Sequence, residues 1–165
     1  MIKDIQSFIG YFEGIRRRTL NYLKTIPPDR LDWSPKEGEF TPRQIALHIG
    51  STEQMFVSVF VNDTWKFHDD HGDHQADTLD QLLAHLEQTH IEAMTALKGM
   101  DNSVLNQQRT TLEKTTLSAW RLLMMMTEHE IHHRSQLAVN LALMGVEPPQ
   151  VFGMYIEDVI ARITG

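Results

Sequence analysis

The sequence predicts an all-α protein, a four-helix bundle with an additional short C-terminal helix, and three observations carry that prediction. Apolar residues recur at helical spacing through four long segments. Two of those segments open on a capping-box pattern, Thr41-Pro42-Arg43-Gln44 and Thr78-Leu79-Asp80-Gln81. No segment shows the alternation of a half-buried strand, and no internal repeat or low-complexity tract interrupts the pattern.

The first helix is marked by Ile5, Phe8, Ile9, Phe12, Ile15, Thr19 and Tyr22 and ends at Pro27-Pro28. Its Arg16-Arg17-Arg18 triplet reads as a solvated face. A polar, proline-bearing linker, DRLDWSPKEGEF, leads to the second helix, where Thr41 can cap, Pro42 suits the first helical position and Gln44 completes the box. Its buried stripe is Ile45, His48, Thr52, Met55, Phe56 and Val59, fading near Asn62-Asp63. The stretch KFHDDHGDHQAD is short of apolar residues and reads as an exposed loop. Leu79, Leu82, Leu83, Leu86, His90, Ala93 and Leu97 make the third helix, closed by Gly99. Residues 100–116 are polar and irregular, and no element is predicted there. The fourth helix runs from about Leu117 to Met144, stopped by Gly145 and Pro148-Pro149, and a short tail helix over Met154–Ile163 follows. Residues 1–165 are expected to form one domain.

A chain of 165 residues with 41% hydrophobic content can bury a core without covalent staples. The absence of cysteine excludes disulfides, cysteine-rich zinc sites and a cysteine nucleophile, so any thiol chemistry must bring its thiol from outside. The N-terminal MIKDIQSFIG lacks the unbroken apolar run of a signal peptide, and no segment reaches the ~18 apolar residues of a membrane span. A cytoplasmic protein is expected. The formal charge of −7, with basic residues scattered outside one triplet, argues against nucleic acid as a partner, because phosphate binding needs a positive field.

The chemistry concentrates in TEHEIHHRSQL, residues 127–137. Residues four apart on a helix differ by only ~40° in direction, so His129 and His133 project side by side as a chelating pair. Leu122, Met125, Met126, Leu137, Val139, Leu143 and Met144 surround that direction, with His132, Gln136 and Asn140 at its edge or centre, so a polar layer interrupts an apolar stripe. Each buried imidazole nitrogen needs a partner or forfeits hydration worth about 1–3 kcal/mol. A divalent metal satisfies several at once, and His48 lies on the inward stripe of the second helix. Three neutral imidazoles would leave a fourth coordination position for water or substrate. A pair of core histidines bonded to each other or to backbone is the bland alternative. Glu130, His132 and Gln136 are candidates to orient the ligating rings. Thr52, Met55, Phe56, Leu122, Met125 and Met126 are candidates to line the adjoining pocket.

Other readings compete. His129-Glu130-x-x-His133 spells the HExxH of a zinc protease, with Glu157 available as third ligand, but no strand is predicted to carry a peptide substrate. Glu87-x-x-His90 with Glu130-x-x-His133 resembles half of a di-iron site, yet Glu53 lies about 140° from His48 on the wheel, away from the bundle interior, and Glu13 is marginal. His68, Asp69, Asp70, His71, Asp73 and His74 form an acidic loop cluster read as solvated. His85 is expected at the surface or beside the ligating rings, and His90 as a satisfied core histidine. Trp120, Met124, Thr127, Ile131 and Ala138 form a second apolar seam on the fourth helix, and a homodimer through it is expected.

With these residues in hand, the chain resembles the DinB family of metal-binding four-helix-bundle proteins. LDWSPKEGEFTPRQIALHIG resembles the family's linker and first-ligand helix, and HEIHHRSQLAVNLALMG its second-ligand helix. The resemblance implies the metal ligands His48, His129 and His133. Ser135 stands where many members have glycine. Relatives include bacillithiol and related thiol S-transferases and mycothiol-dependent maleylpyruvate isomerases. The resemblance therefore implies a divalent metal, zinc or nickel first and iron next, and a small-molecule substrate, with a low-molecular-weight thiol or water as the activated group. A non-catalytic metal-binding stress or structural protein is the alternative, and no catalytic residue is assigned.

Overall fold

A computed structural model of the chain describes residues 2–66 and 76–164. The described residues form helices α1 (Ile5–Thr25), α2 (Pro42–Asn62), α3 (Leu79–Lys98), α4 (Ala119–Leu143) and α5 (Ile156–Thr164), with 3-10 turns at Pro28–Arg30 and Asn102–Asn106. The helix starts follow the sequence signals. Thr41 accepts from the Gln44 N–H at 3.2 Å while the Gln44 side chain accepts from the Thr41 N–H at 2.9 Å. Thr78 and Gln81 repeat the exchange at 3.2 and 3.0 Å. Each such cap stabilises its helix by about 1 kcal/mol.

A short antiparallel hairpin, β1 (Gln108–Thr110) and β2 (Thr116–Ser118), with Arg109 opposite Leu117, begins in the region left without a prediction and takes Leu117 and Ser118, expected at the start of the fourth helix. The expectation of no strands was wrong, because three-residue strands are too short to show alternation. The hairpin finishes α2 rather than building a sheet. Buried Arg109 donates to the Phe60 carbonyl at 3.0 Å, Asp63 accepts from the Thr110 N–H at 2.9 Å, and the Trp65 indole donates to the Thr110 carbonyl at 2.7 Å. A carbonyl in the last turn of a helix has no helical partner, so Arg109 supplies one.

The closely packed helix pairs are α2 with α3, α2 with α4, α1 with α4, and α1 with α3. Consecutive helices α1 and α2 therefore face each other across the bundle diagonal. The intervening linker, residues 26–41, is long enough to make that crossing. Close approach of α2 and α3 needs Gly50, where an added Cβ would stand 3.3 Å from Leu86 and 3.4 Å from the Thr89 hydroxyl.

Apolar burial falls into two clusters. One gathers Phe8, Phe12, Phe56, Phe60, Leu122 and Met126, and the other Leu23, Ile45, Ile49, Leu82, Leu86 and Leu137. Between them every long helix contributes polar residues to one layer: Arg16 and Thr19 from α1, Ser51, Thr52 and Glu53 from α2, Thr89 and His90 from α3, and Thr127, Glu130 and His133 from α4. The candidate residues Thr52, Glu130 and His133 lie in this layer.

Several expected burials are corrected. Arg16 is buried, not part of a solvated face. Val139 and Leu143 are exposed at 56% and 60%, Val139 on a cavity beside the linker, while Leu137 and Leu141 fill the core from the other side of α4. Of the second seam, Thr127 is buried and Trp120 packs against the core, which leaves Ile131 exposed at 39%. The α5 helix buries none of its residues. No described helix is long and apolar enough to cross a membrane. The His68, Asp69, Asp70, His71, Asp73 and His74 cluster lies outside the described residues.

Candidate metal centre

Packing of α2 on α4 brings the His48 ring to 4.9 Å from His129 and 4.7 Å from His133, which are themselves 4.3 Å apart, centroid to centroid. His48 Nε2 and His133 Nε2 stand 3.1 and 3.0 Å from His129 Nε2. One nitrogen from each ring lies within 4.8 Å of the other two, and among the described residues no other group of three metal-ligating side chains converges in this way.

Proton bookkeeping makes this arrangement unsuited to hydrogen bonding alone. With all three rings neutral, the single proton or lone pair at His129 Nε2 cannot serve as donor to one neighbour and acceptor from the other. At least one short contact is then mismatched. Protonation does not resolve it, because an imidazolium Nε2 still carries a single proton between two neighbours, and burial, helped by repulsion from His133, His48 and His132, holds His129 down to about 3. Burial lowers His133 as well, against the opposing effect of its bond to Gln136. A cation accepting all three lone pairs removes the mismatch. Tetrahedral zinc-type ligation places ligand nitrogens about 3.3 Å apart, a few tenths of an ångström from the two spacings to His129 Nε2 found here. The residues fit a divalent metal.

Around the rings, Gln136 Oε1 lies 2.7 Å from His133 Nδ1, so it accepts the Nδ1 proton and leaves Nε2 presenting a lone pair to the cluster. Exposed His132 stacks edge-on to His133 at 5.0 Å and touches the Gln136 amide at 3.4 Å. Phe40 from the linker packs on His48 at 6.0 Å, and Phe56 on His129 at 6.2 Å.

Glu130, proposed from sequence as an orienting group for the rings, turns the other way. Its carboxylate lies 3.1 Å from Arg16, which also donates to Glu53 at 2.5 Å; Glu53 in turn lies 2.7 Å from His90 Nδ1. Each long helix contributes one member to this ionic layer, and Arg16, Glu53 and Glu130 are at most 3% exposed. Burial raises the Glu130 carboxyl above its ordinary range, Arg16 opposes that and Glu53 adds to it. The outward placement read for Glu53 is therefore overturned. Packed against both α3 and α4, α2 has a buried sector far wider than the stripe through His48, and Glu53 occupies its far edge. Glu53 and Arg16 are the residues of this region that sequence reasoning missed. The long Arg16 side chain reaches across the diagonal between α1 and α2, a span that no single-helix pattern encodes.

The cavity also differs from expectation. Thr52, Phe56, Leu122 and Met126 are buried in the core, and Met55 and Met125 pack against it. The open space, about 560 Å³, is lined instead by Pro35, Lys36, Phe40, Gln136, Val139 and Asn140 among others. A linker instead of a helix covers α4 there, and side chains from such a strip cannot fill the gap. Gln136 and Phe40 each touch both the cavity and a histidine, which places the opening beside the cluster.

The DinB family model matches residues 1–160. Among solved structures, a DinB-like protein of Bacillus cereus is similar at 16% identity and TM-score 0.76, over 94% of this chain and 100% of that one. YjoA, a DinB-like protein of Bacillus subtilis, is similar at 20% identity and TM-score 0.72, over 88% and 96%. YfiT of Bacillus subtilis, described as a probable metal-dependent hydrolase with an unusual four-helix bundle topology, is similar at 15% identity and TM-score 0.67, over 87% and 89%. Comparison with curated protein sequences returned no match. The structural likenesses carry the fold, and the family match across nearly the whole length settles membership: the chain belongs to the DinB family.

Proposed function

We propose that His48, His129 and His133 hold one divalent metal, zinc or nickel, and that the chain is a metal-dependent small-molecule enzyme of thiol S-transferase type, in which a low-molecular-weight thiol or water attacks a small electrophile. The observation that carries this reading is three converging imidazole nitrogens beside a cavity of about 560 Å³. When bound, the metal supplies Lewis acidity that lowers the pKa of a coordinated thiol or water and yields a nucleophile near neutral pH.

The chain's own residues supply the rest. Burial keeps His129 and His133 neutral at physiological pH, so their lone pairs need not first lose protons. Gln136 fixes the ring and tautomer of His133, and Phe40 and Phe56 pack on His48 and His129. Three histidines leave a coordination position for the nucleophile, and the cavity gives the electrophile a place beside it. Water as nucleophile draws support from the description of YfiT as a probable metal-dependent hydrolase. A protease of HExxH type draws none, because Glu130 is engaged by Arg16 in the bundle interior, and α5, carrying Glu157, buries nothing.

The test is conjugation of a small thiol such as cysteine to a chromogenic electrophile, with nickel- or zinc-loaded protein and its H129A variant. A rate above the metal-free background that H129A abolishes supports thiol transfer. Hydrolysis of an activated ester without thiol dependence would replace thiol by water. Metal that raises the melting temperature with no turnover of either kind would leave a non-catalytic metal-binding protein. We further propose a homodimer and a cytoplasmic location. Self-association rests on the exposed apolar residues Ile131, Ile156, Ile160 and Ile163, and sedimentation equilibrium showing a monomer would remove it.

A further inference from the structure

The polar layer contains five buried hydroxyls, and four are bonded within their own helix. Thr19 donates to the Ile15 carbonyl, Ser51 to His48, Thr89 to Leu86 and Thr127 to Leu123, at 3.0 to 3.3 Å. Thr52 is the exception. It is 3% exposed, its Oγ1 is shielded from solvent, and it has no hydrogen-bond partner among the described residues. A threonine in a helix ordinarily satisfies its hydroxyl on the preceding turn, so an unbonded one in the interior is a standing cost that calls for an explanation.

Its position supplies one. Thr52 follows His48 by one turn and precedes Phe56 by one turn, each step rotating about 40° around the helix. The rings on either side both rest against His129, His48 at 4.9 Å and Phe56 at 6.2 Å. The Thr52 side chain therefore stands on the strip of α2 that faces His129, between two groups already touching it. Glu53, turned about 100° from Thr52, meets α1 and α3 instead.

We propose that the Thr52 hydroxyl is a positioning group for the proposed reaction, donating a hydrogen bond to the anionic nucleophile held beside the histidine triad, whether thiolate or hydroxide. The inference rests on the metal reading above. A hydroxyl left unbonded by its own helix keeps its proton available for a ligand, and a bond to a charged acceptor is stronger than one to a backbone carbonyl. It orients the nucleophile without touching the metal.

The probe is azide, a small anion able to occupy an open coordination position. Untagged wild-type, T52V and T52S proteins are loaded with cobalt(II), and azide is titrated against the visible cobalt absorption. The expected result is unchanged cobalt affinity in all three, azide binding about tenfold weaker in T52V, and recovery to within about twofold of wild type in T52S. Apo T52V is also expected to melt above apo wild type, because valine removes an unsatisfied polar atom; a hydroxyl serving only the fold would give the opposite sign. Equal azide affinity in T52V and wild type, or a lower apo melting temperature in T52V, overturns the assignment of Thr52. Wild type that takes up no cobalt, or whose cobalt spectrum ignores azide, instead overturns the metal reading, and the Thr52 role with it.

Discussion

At the scale of single residues, burial sets the charge of two of the three clustered histidines, His129 and His133. The folded-state pKa of His129 is depressed to about 3, whereas an unfolded histidine titrates near 6.5. Below pH 6.5 the unfolded chain therefore binds more protons than the native one, and linkage makes stability fall as pH falls. The stabilising contribution is complete above about pH 6.5 and is lost progressively towards pH 3. The apo protein is expected to melt lower at pH 5 than at pH 7.5, with H129A flattening that dependence; an equal slope in the variant would contradict the assignment. Gln136 gives a second residue-level expectation. Q136L should weaken metal binding about 10- to 100-fold, by freeing the tautomer of His133, while leaving far-ultraviolet circular dichroism unchanged. Competition with a chromogenic chelator reads that difference. His129, His133 and His48 were all legible in the sequence, since spacing of four on one helix and a place on the inward stripe of another are local properties. The contact between Gln136 and His133 was legible for the same reason, being one helical turn.

At the scale of elements, the helices were readable wherever a local rule governs. The Thr41 and Thr78 capping boxes, the Pro27-Pro28 stop and the Gly145 stop mark their ends to within a few residues. What escaped depends on partners distant in sequence. Three-residue strands carry no period, and the hairpin exists because Arg109, Asp63 and Trp65 tie it to the end of α2. Arg16 lies in a basic triplet that looks solvated until Glu53 and Glu130 meet it from two other helices. A wheel drawn for one helix assigns one inward direction, whereas a helix in a bundle has two neighbours and a diagonal. The ionic layer has an energetic consequence. Removing Arg16 leaves two carboxylates buried without a countercharge, so R16M should lose about 3–5 kcal/mol of stability in urea denaturation. A loss below about 1 kcal/mol would mean that the layer is hydrated rather than closed.

For the whole molecule, the layered plan explains why a bundle of this size carries polar groups at its centre. Two apolar clusters, one at each end, hold the four helices, and the layer between them is free to be chemical. It divides into two parts with different tasks. The Arg16, Glu53, His90 and Glu130 side ties the helices together across the diagonal, whereas His48, His129 and His133 meet where the linker leaves a cavity. The fold class and the family resemblance were legible because they depend on patterns spread along the chain. The cavity was not, because it arises where the linker, residues 26–41, fails to cover α4, and its shape follows from Phe40 and the turn at Gly38, whose φ of 86° suits glycine. A bound ion would also stabilise the native state, by about 2.7 kcal/mol at a free concentration one hundred times its dissociation constant. The most direct measurement is the metal content, by mass spectrometry, of protein purified without a histidine tag, comparing wild type with H48A and H129A. One divalent ion per chain in wild type, lost in both variants, is the predicted result; an H48A protein that keeps its full complement of metal would contradict it.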